Sequence, residues 1–218
     1  MQKLLIPFID CSMIAGYKTE IYLNEHGYEH YGIDIGTYQG TLFENHNIYG
    51  SGNGTVVSAG WDSKLGGAIC VRYNEVYNHK TGETIDIIAR YMHLKKVNVK
   101  TGDNVTIETI LGEEGKEGTS NYHLHLEFDT DINYPRYTPQ VSYGLSYWIN
   151  NKYTVDSTVN PSEFLYQSNE RKLHDTNWVD GWLNEEDENI PIIKSEKEIS
   201  FEKVAEMLKK EGYETITL

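Results

Sequence analysis

Only two cysteines, Cys11 and Cys70, occur in 218 residues. They cannot build a disulfide framework or a structural zinc site of four thiolates from one chain, and we read both as free thiols. Long apolar runs are also missing. None approaches the ~18 residues that a membrane-spanning helix needs. The opening stretch, Met1–Asp10, carries one lysine and a short apolar run, which Pro7 and Asp10 interrupt. No small-residue cleavage site follows, so the expectation is synthesis in the cytoplasm without a signal peptide. Basic residues are scarce: 19 Lys and Arg stand against 33 Asp and Glu, a formal charge of -14. Nucleic-acid affinity rests on neutralising phosphates, so this balance excludes such a partner. Recognition should be short-range, and some of the 17 tyrosines, a residue type that suits β-structure, could line a groove for a polar peptide.

What the chain does have is histidine in a suggestive pattern. His30 and Asp34 are spaced H-x-x-x-D, His93 sits in YMHL, and His123 and His125 flank Leu124. In a strand, residues two apart share a face roughly 7 Å apart, so His123 and His125 project together. One can bind a metal while the other stands beside it. His30 and Asp34 would lie roughly 13 Å apart in an extended strand, too far to share an ion. They must sit on a helical turn or a bent loop. The glycines at 27, 32 and 36 and the β-branched Ile33 and Ile35 favour the bent loop. A His/His/Asp set leaves tetrahedral zinc one open position, the pattern of a catalytic centre.

The segments around these residues carry a resemblance. In order they are Gly27–Ile35 (GYEHYGIDI), Gly54–Gly60 (GTVVSAG), Tyr91–Leu94 (YMHL), Val99–Val105 (VKTGDNV), Ile110–Gly112 (ILG) and His123–Glu127 (HLHLE). Together they resemble the lysostaphin and LytM-type zinc endopeptidases that cut peptide bonds in bacterial peptidoglycan. The resemblance implies that His30, Asp34 and His125 hold one Zn2+ per chain, and that His93 and His123 are a catalytic pair that does not bind the metal. It also implies a peptide of the wall, stem or cross-bridge, as substrate. One departure stands out. The family usually has a small-residue run ending in Gly-Pro before His-x-His; here residues 115–122 read GKEGTSNY, which affects substrate preference rather than the metal.

The expected fold is mainly β, an antiparallel sandwich or open barrel with Gly-rich loops. Residues 54–62, 67–77, 85–95 and 122–130 read as strands, with a hairpin turn at 78–83 marked by Gly82. Two glycine turns surround residues 104–107. Residues 131–160 read as a long surface loop, and Asn160-Pro161-Ser162 as a short helical turn that closes the main domain at residue 168. Residues 169–218 hold 13 acidic and 7 basic residues and form an acidic appendage, with Trp178 and Trp182 in its first part. Ser195 to Glu198 matches a capping box, and Phe201, Val204, Ala205 and Leu208 fall at helical spacing, so a helix is expected near 196–211. Some 50 residues are few for an independent core.

The isolated His26, His46, His79 and His174 read as solvated loop residues, and Asp62 and Glu127 as structural. The functional expectation is a cell-wall lysin, phage- or mobile-element-encoded, that acts at the wall. The alternative is a non-enzymatic relative that binds wall peptide or activates another hydrolase. Such a relative would be expected to have lost a ligand or a catalytic histidine.

Overall fold

The computed structural model describes residues 1–38, 46–133, 135 and 156–174. Their elements in chain order are β1 (Leu4–Leu5), β2 (Asp10–Ala15), α1 (Glu20–His26), β3 (Ile33–Thr37), β4 (Asn47–Tyr49), β5 (Gly54–Asp62), β6 (Gly66–Tyr77) and β7 (Thr84–Leu94). Then come β8 (Lys96–Val97), β9 (Asn104–Val105), β10 (Ile110–Glu113), β11 (Leu124–Asp129), β12 (Thr158–Val159), β13 (Leu165–Tyr166) and β14 (Lys172–Leu173). A 3-10 turn spans Pro161–Glu163, capped by the Asn160 side chain on the Ser162 N–H.

The four long strands expected from alternation are β5, β6, β7 and β11. The β6–β7 hairpin closes as its residues dictate. Asn78 Oδ1 accepts from the N–H groups of Lys80 and Thr81, and Gly82 takes φ +77°. These strands belong to one large, mostly antiparallel sheet ordered β14-β2-β3-β11-β7-β6-β5-β9, with β12 beside the end of β11. Two small sheets, β4-β10-β8 and β1-β13, complete the described fold. The mainly β, antiparallel expectation holds, and the described strands form no closed barrel. The exceptions to antiparallel pairing lie near the ends: β1 runs parallel to β13, and β14 parallel to β2.

One core unites them. Ile33 and Ile35 of β3, Leu124, Leu126 and Phe128 of β11, and Ile87, Ala89 and Tyr91 of β7 are fully buried with Leu4, Ile6 and Phe8 from the first residues. The apolar run in Met1–Asp10 is therefore core material. Cys11 and Cys70 are buried and unbridged. No helix among the described residues is long and apolar enough to cross a membrane.

The described fold continues past the expected boundary at 168. Leu173 joins the core, and the buried Arg171 donates to the carbonyls of Ile6, Gly50 and Ile107. A chain cut at Ser168 would leave those buried carbonyls without their donor, at a cost of about 1–3 kcal/mol each. The expected helix near 196–211, the capping box, Trp178 and Trp182 lie outside the described residues, as does most of the 131–160 segment.

Candidate metal centre

A short helix that sequence reasoning missed sets up the first ligand pair. Thr19 caps α1 by accepting from the Tyr22 N–H, and Gly27, at φ +78°, ends it with its N–H on the Leu23 carbonyl. A Thr and a Gly eight residues apart were a usable cap signal. The chain then bends through residues 28–32 into β3, so His30 sits on the bend and Asp34 on the strand. The Tyr22 ring stacks on His30 at 4.2 Å. Across the ladder, Asp34 pairs in register with His125 of β11. Gly32 permits the closure, since a Cβ there would stand 2.7 Å from His125 Nε2.

The three side chains converge. Asp34 Oδ1 lies 3.1 Å from His30 Nε2 and 2.9 Å from His125 Nδ1, and the two ring nitrogens are 3.0 Å apart. All three residues are buried, and their ligand atoms lie within 4.8 Å of one another. The polarity of the contacts suits a cation. His30 Nδ1 faces the Gly16 carbonyl at 2.9 Å, and a carbonyl can only accept, so Nδ1 carries the proton. In the neutral ring, Nε2 is then a lone pair aimed at a carboxylate oxygen. Two such acceptors 3.1 Å apart are placed to share a proton or a metal ion. The separations fall a few tenths of an ångström below the edge of a tetrahedron with ~2.0–2.1 Å bonds, roughly 3.3 Å. The donor set of two imidazoles and one carboxylate fits zinc with one position open.

The electrostatics agree. Burial pushes the Asp34 carboxyl up, but its bonds to His125 and His30 outweigh that and hold it well below the usual carboxylate range. Burial pushes His125 down, yet Asp34 and Glu127 raise it to about 9. Asp34 is thus held as an anion, and His125 without metal is held as a cation. Behind His125, its Nε2 faces Glu127 Oε2 at 3.5 Å, and Glu127 Oε1 accepts from Arg90 at 2.7 Å. Arg90 also donates two bonds of 3.0 Å to Asp129. Arg90, Glu127 and Asp129 are all buried, so the ionic network runs inward from the centre. Glu127, read from the sequence as structural, backs a candidate ligand. Its position two residues past His125, on the same strand face, was the available signal.

His93 and His123 sit beside this cluster. Their ring centroids are 4.9 Å apart, and His93 lies 6.2 Å from the His125 ring. His93 Nδ1 donates to the Glu117 carbonyl at 2.8 Å, and His123 Nδ1 to the Asn121 carbonyl at 3.0 Å. Each ring thus keeps Nε2 for other work; that of His123 lies 3.7 Å from Asp34 Oδ1. Burial, then repulsion from His125, pushes His93 down to about 4, so its ring is neutral at ordinary pH. Its backbone takes φ +66°, an uncommon conformation for a residue with a side chain, held by its N–H on the Leu65 carbonyl at 2.8 Å.

The remaining singled-out residues lie elsewhere. His79 is tied to the Ser162 carbonyl, and His174 to Asp10 with its ring on Tyr38, so neither is a merely solvated loop residue. His46 is likewise bonded, to Glu114. His26 stays largely exposed in the last turn of α1, packed on Tyr22. Asp62 Oδ1 caps a turn by accepting from the Lys64 and Leu65 N–H groups.

Comparison with known proteins locates the fold. A chain in a structure of the SpoIIQ-SpoIIIAH pore-forming complex superposes with a TM-score of 0.51 at 20% identity, covering 76% of this chain and 92% of that one. At that identity the likeness concerns the fold alone. An uncharacterized metalloprotease of Buchnera aphidicola subsp. Baizongia pistaciae is 34% identical over 99 residues, 45% of this chain and 22% of that protein. The glycyl-glycine endopeptidase ALE-1 of Staphylococcus capitis is 35% identical over 108 residues, 48% of this chain and 26% of that protein. The match thus spans about a quarter of the length of these curated relatives. Residues 28–136, which include all five singled-out histidines and aspartate, match peptidase family M23 across half the sequence, and the chain belongs to that family.

Proposed function

We propose that this chain is a zinc-dependent endopeptidase that hydrolyses peptide bonds of bacterial peptidoglycan, in the stem or the cross-bridge, at the cell wall. Family membership supports a peptidase, and the relative named as a glycyl-glycine endopeptidase supports a peptide substrate. One juxtaposition carries the proposal: His30, Asp34 and His125 converge on one point, with the His93 and His123 rings beside it. His30, Asp34 and His125 would hold the zinc. When bound, the ion supplies a Lewis acid for the scissile carbonyl and lowers the pKa of a water toward ~7.

The chain's own groups do the rest. The Gly16 carbonyl fixes the tautomer of His30, and Glu127 orients His125. The Glu117 and Asn121 carbonyls hold the protons of His93 and His123 on Nδ1, so both present Nε2. These two nitrogens divide two tasks: one takes a proton from the attacking water, and the other, on a ring protonated at both nitrogens, donates to the developing oxyanion. The alternative, a wall-peptide binder without catalysis, would not need all five residues.

Digestion of purified peptidoglycans with different cross-link chemistry, with mass spectrometry of the fragments, tests activity and bond together. New peptide termini at one defined bond, abolished by a chelator and restored by zinc, are the expected outcome. Intact walls of every chemistry, with fully zinc-loaded protein, would refute the proposal.

A further inference from the structure

A second cluster adjoins the metal centre. Gly36 lies two residues past Asp34 on β3, on the same strand face and roughly 7 Å along. Beside it opens a cavity of about 470 Å³, lined among others by Ile14, Thr37, His46, Glu114 and Tyr122. Tyr122, one wall of the cavity, directly precedes His123 in the chain, which places the cavity next to the metal centre. Gly36 keeps it open: a Cβ there would stand 3.0 Å from Ile14 Cδ1 and 3.2 Å from Glu114 Oε1. Ile14 and Tyr122 are half exposed and form apolar walls.

The floor is ionic. Glu114 is 2% exposed, yet the described structure gives its carboxylate no lysine or arginine partner. Oε1 accepts from the Thr37 N–H at 3.1 Å, and Oε2 accepts from the Thr37 hydroxyl at 2.6 Å and faces His46 Nδ1 at 3.1 Å. A carboxylate offers about four lone-pair sites, so at least one remains. With its Nδ1 proton on Glu114, the His46 ring leaves Nε2 for a further hydrogen bond. A hydroxyl that already donates and a carboxylate together favour a ligand rich in N–H donors and positively charged. A buried carboxylate set only in dipoles gains most from an ammonium group.

We propose that this cavity is a substrate subsite that takes a primary amine, as ammonium, on a residue flanking the scissile bond, with Glu114 as the recognising anion and Thr37 and His46 as its supports. The inference rests on the peptidase function proposed above. The amine has two possible sources, a diamino-acid side chain or a free peptide amino terminus.

Three synthetic peptides of one cleavable sequence separate these sources: one with a side-chain amine and capped terminus, one with a free terminus only, and one fully acetylated. With the zinc-loaded full chain, one amine peptide should exceed the acetylated one in kcat/KM by about tenfold or more, the scale of a hydrogen bond to a charged group. Glu114→Gln should bring that ratio close to one while leaving cleavage of the acetylated peptide nearly unchanged. Should Glu114→Gln fail to fold, the partly exposed His46 provides the second variant, and His46→Ala should shrink the ratio. Equal rates on all three peptides, or an undiminished ratio in the soluble variant, overturn the subsite. If no peptide is cut, the peptidase function falls, and calorimetric titration with the same peptides still decides the subsite. Tighter binding of an amine peptide than of the acetylated one supports it, and equal affinities sink it.

Discussion

The two faces of β11 are buried alike and chemically opposite. Leu124, Leu126 and Phe128 point into the apolar core; His125, Glu127 and Asp129, the alternate residues, carry charge and are equally inaccessible. Apolar side chains need only volume and neighbours. The charged face survives burial because each group has a specific partner: Asp34 for His125, and Arg90 for both Glu127 and Asp129. One face supplies apolar packing, and the other holds buried charge by specific pairing.

The sharpest break in that comparison is removal of a ligand. Asp34→Ala or His125→Ala should leave the protein without stoichiometric zinc by atomic emission and reduce cleavage to background. Full zinc content in both variants would remove them as ligands. Next in size are the neighbours. His93→Ala and His123→Ala should retain zinc and lose roughly 10²–10⁴ in turnover, the range for a positioned proton-transfer group or oxyanion donor. The pH profiles of the two variants assign the tasks, since loss of the base removes the acid limb.

A paired substitution then contrasts the faces directly. Glu127→Gln should weaken zinc affinity by about 10–100-fold, as loss of a group orienting a ligand does. Leu126→Ala should cost about 2–5 kcal/mol of stability and leave the affinity of the folded protein unchanged. Chelator competition and denaturant unfolding read the two effects. If both variants lose affinity equally, the faces are not separable.

The smallest effect is a pH dependence. Without metal, His125 holds its proton up to about 9, so zinc must displace that proton. Apparent zinc affinity should rise by roughly tenfold per pH unit between about 7 and 9 and then flatten. The sign follows because the raised pKa favours the protonated form that zinc cannot bind. His93, neutral above about 4, adds nothing to this slope.

The large strands were legible as strand-like runs between glycine turns, and the hairpin because Asn78 and Gly82 sit where a turn needs them. Spacing showed that His30 and Asp34 could meet on a bend and that His123 and His125 share a strand face, while the grouping of His30, Asp34 and His125 came from the family resemblance. The holders of the rings were not legible. Gly16, Glu117 and Asn121 act through main-chain carbonyls, which any residue type supplies. The loop at 115–122, conspicuous for lacking the usual Gly-Pro ending, still delivers two of those carbonyls. Arg90 reads as an ordinary strand residue because its partners lie 37 and 39 positions away. Composition changes near residue 169, whereas packing among the described residues continues through Leu173.

The contact of Arg171 with the Ile6 carbonyl spans 165 residues of chain. A ribosome releases residues in order, so β1 can meet β13 and Arg171 only after the long stretch of chain between them has emerged. Until then Leu4, Ile6 and Phe8 are apolar chain without their late-made neighbours. Closure of such distant ends makes folding slow and leaves sticky surface in the nascent molecule. The two ends of the described fold therefore act as a latch that can be thrown only once both are present.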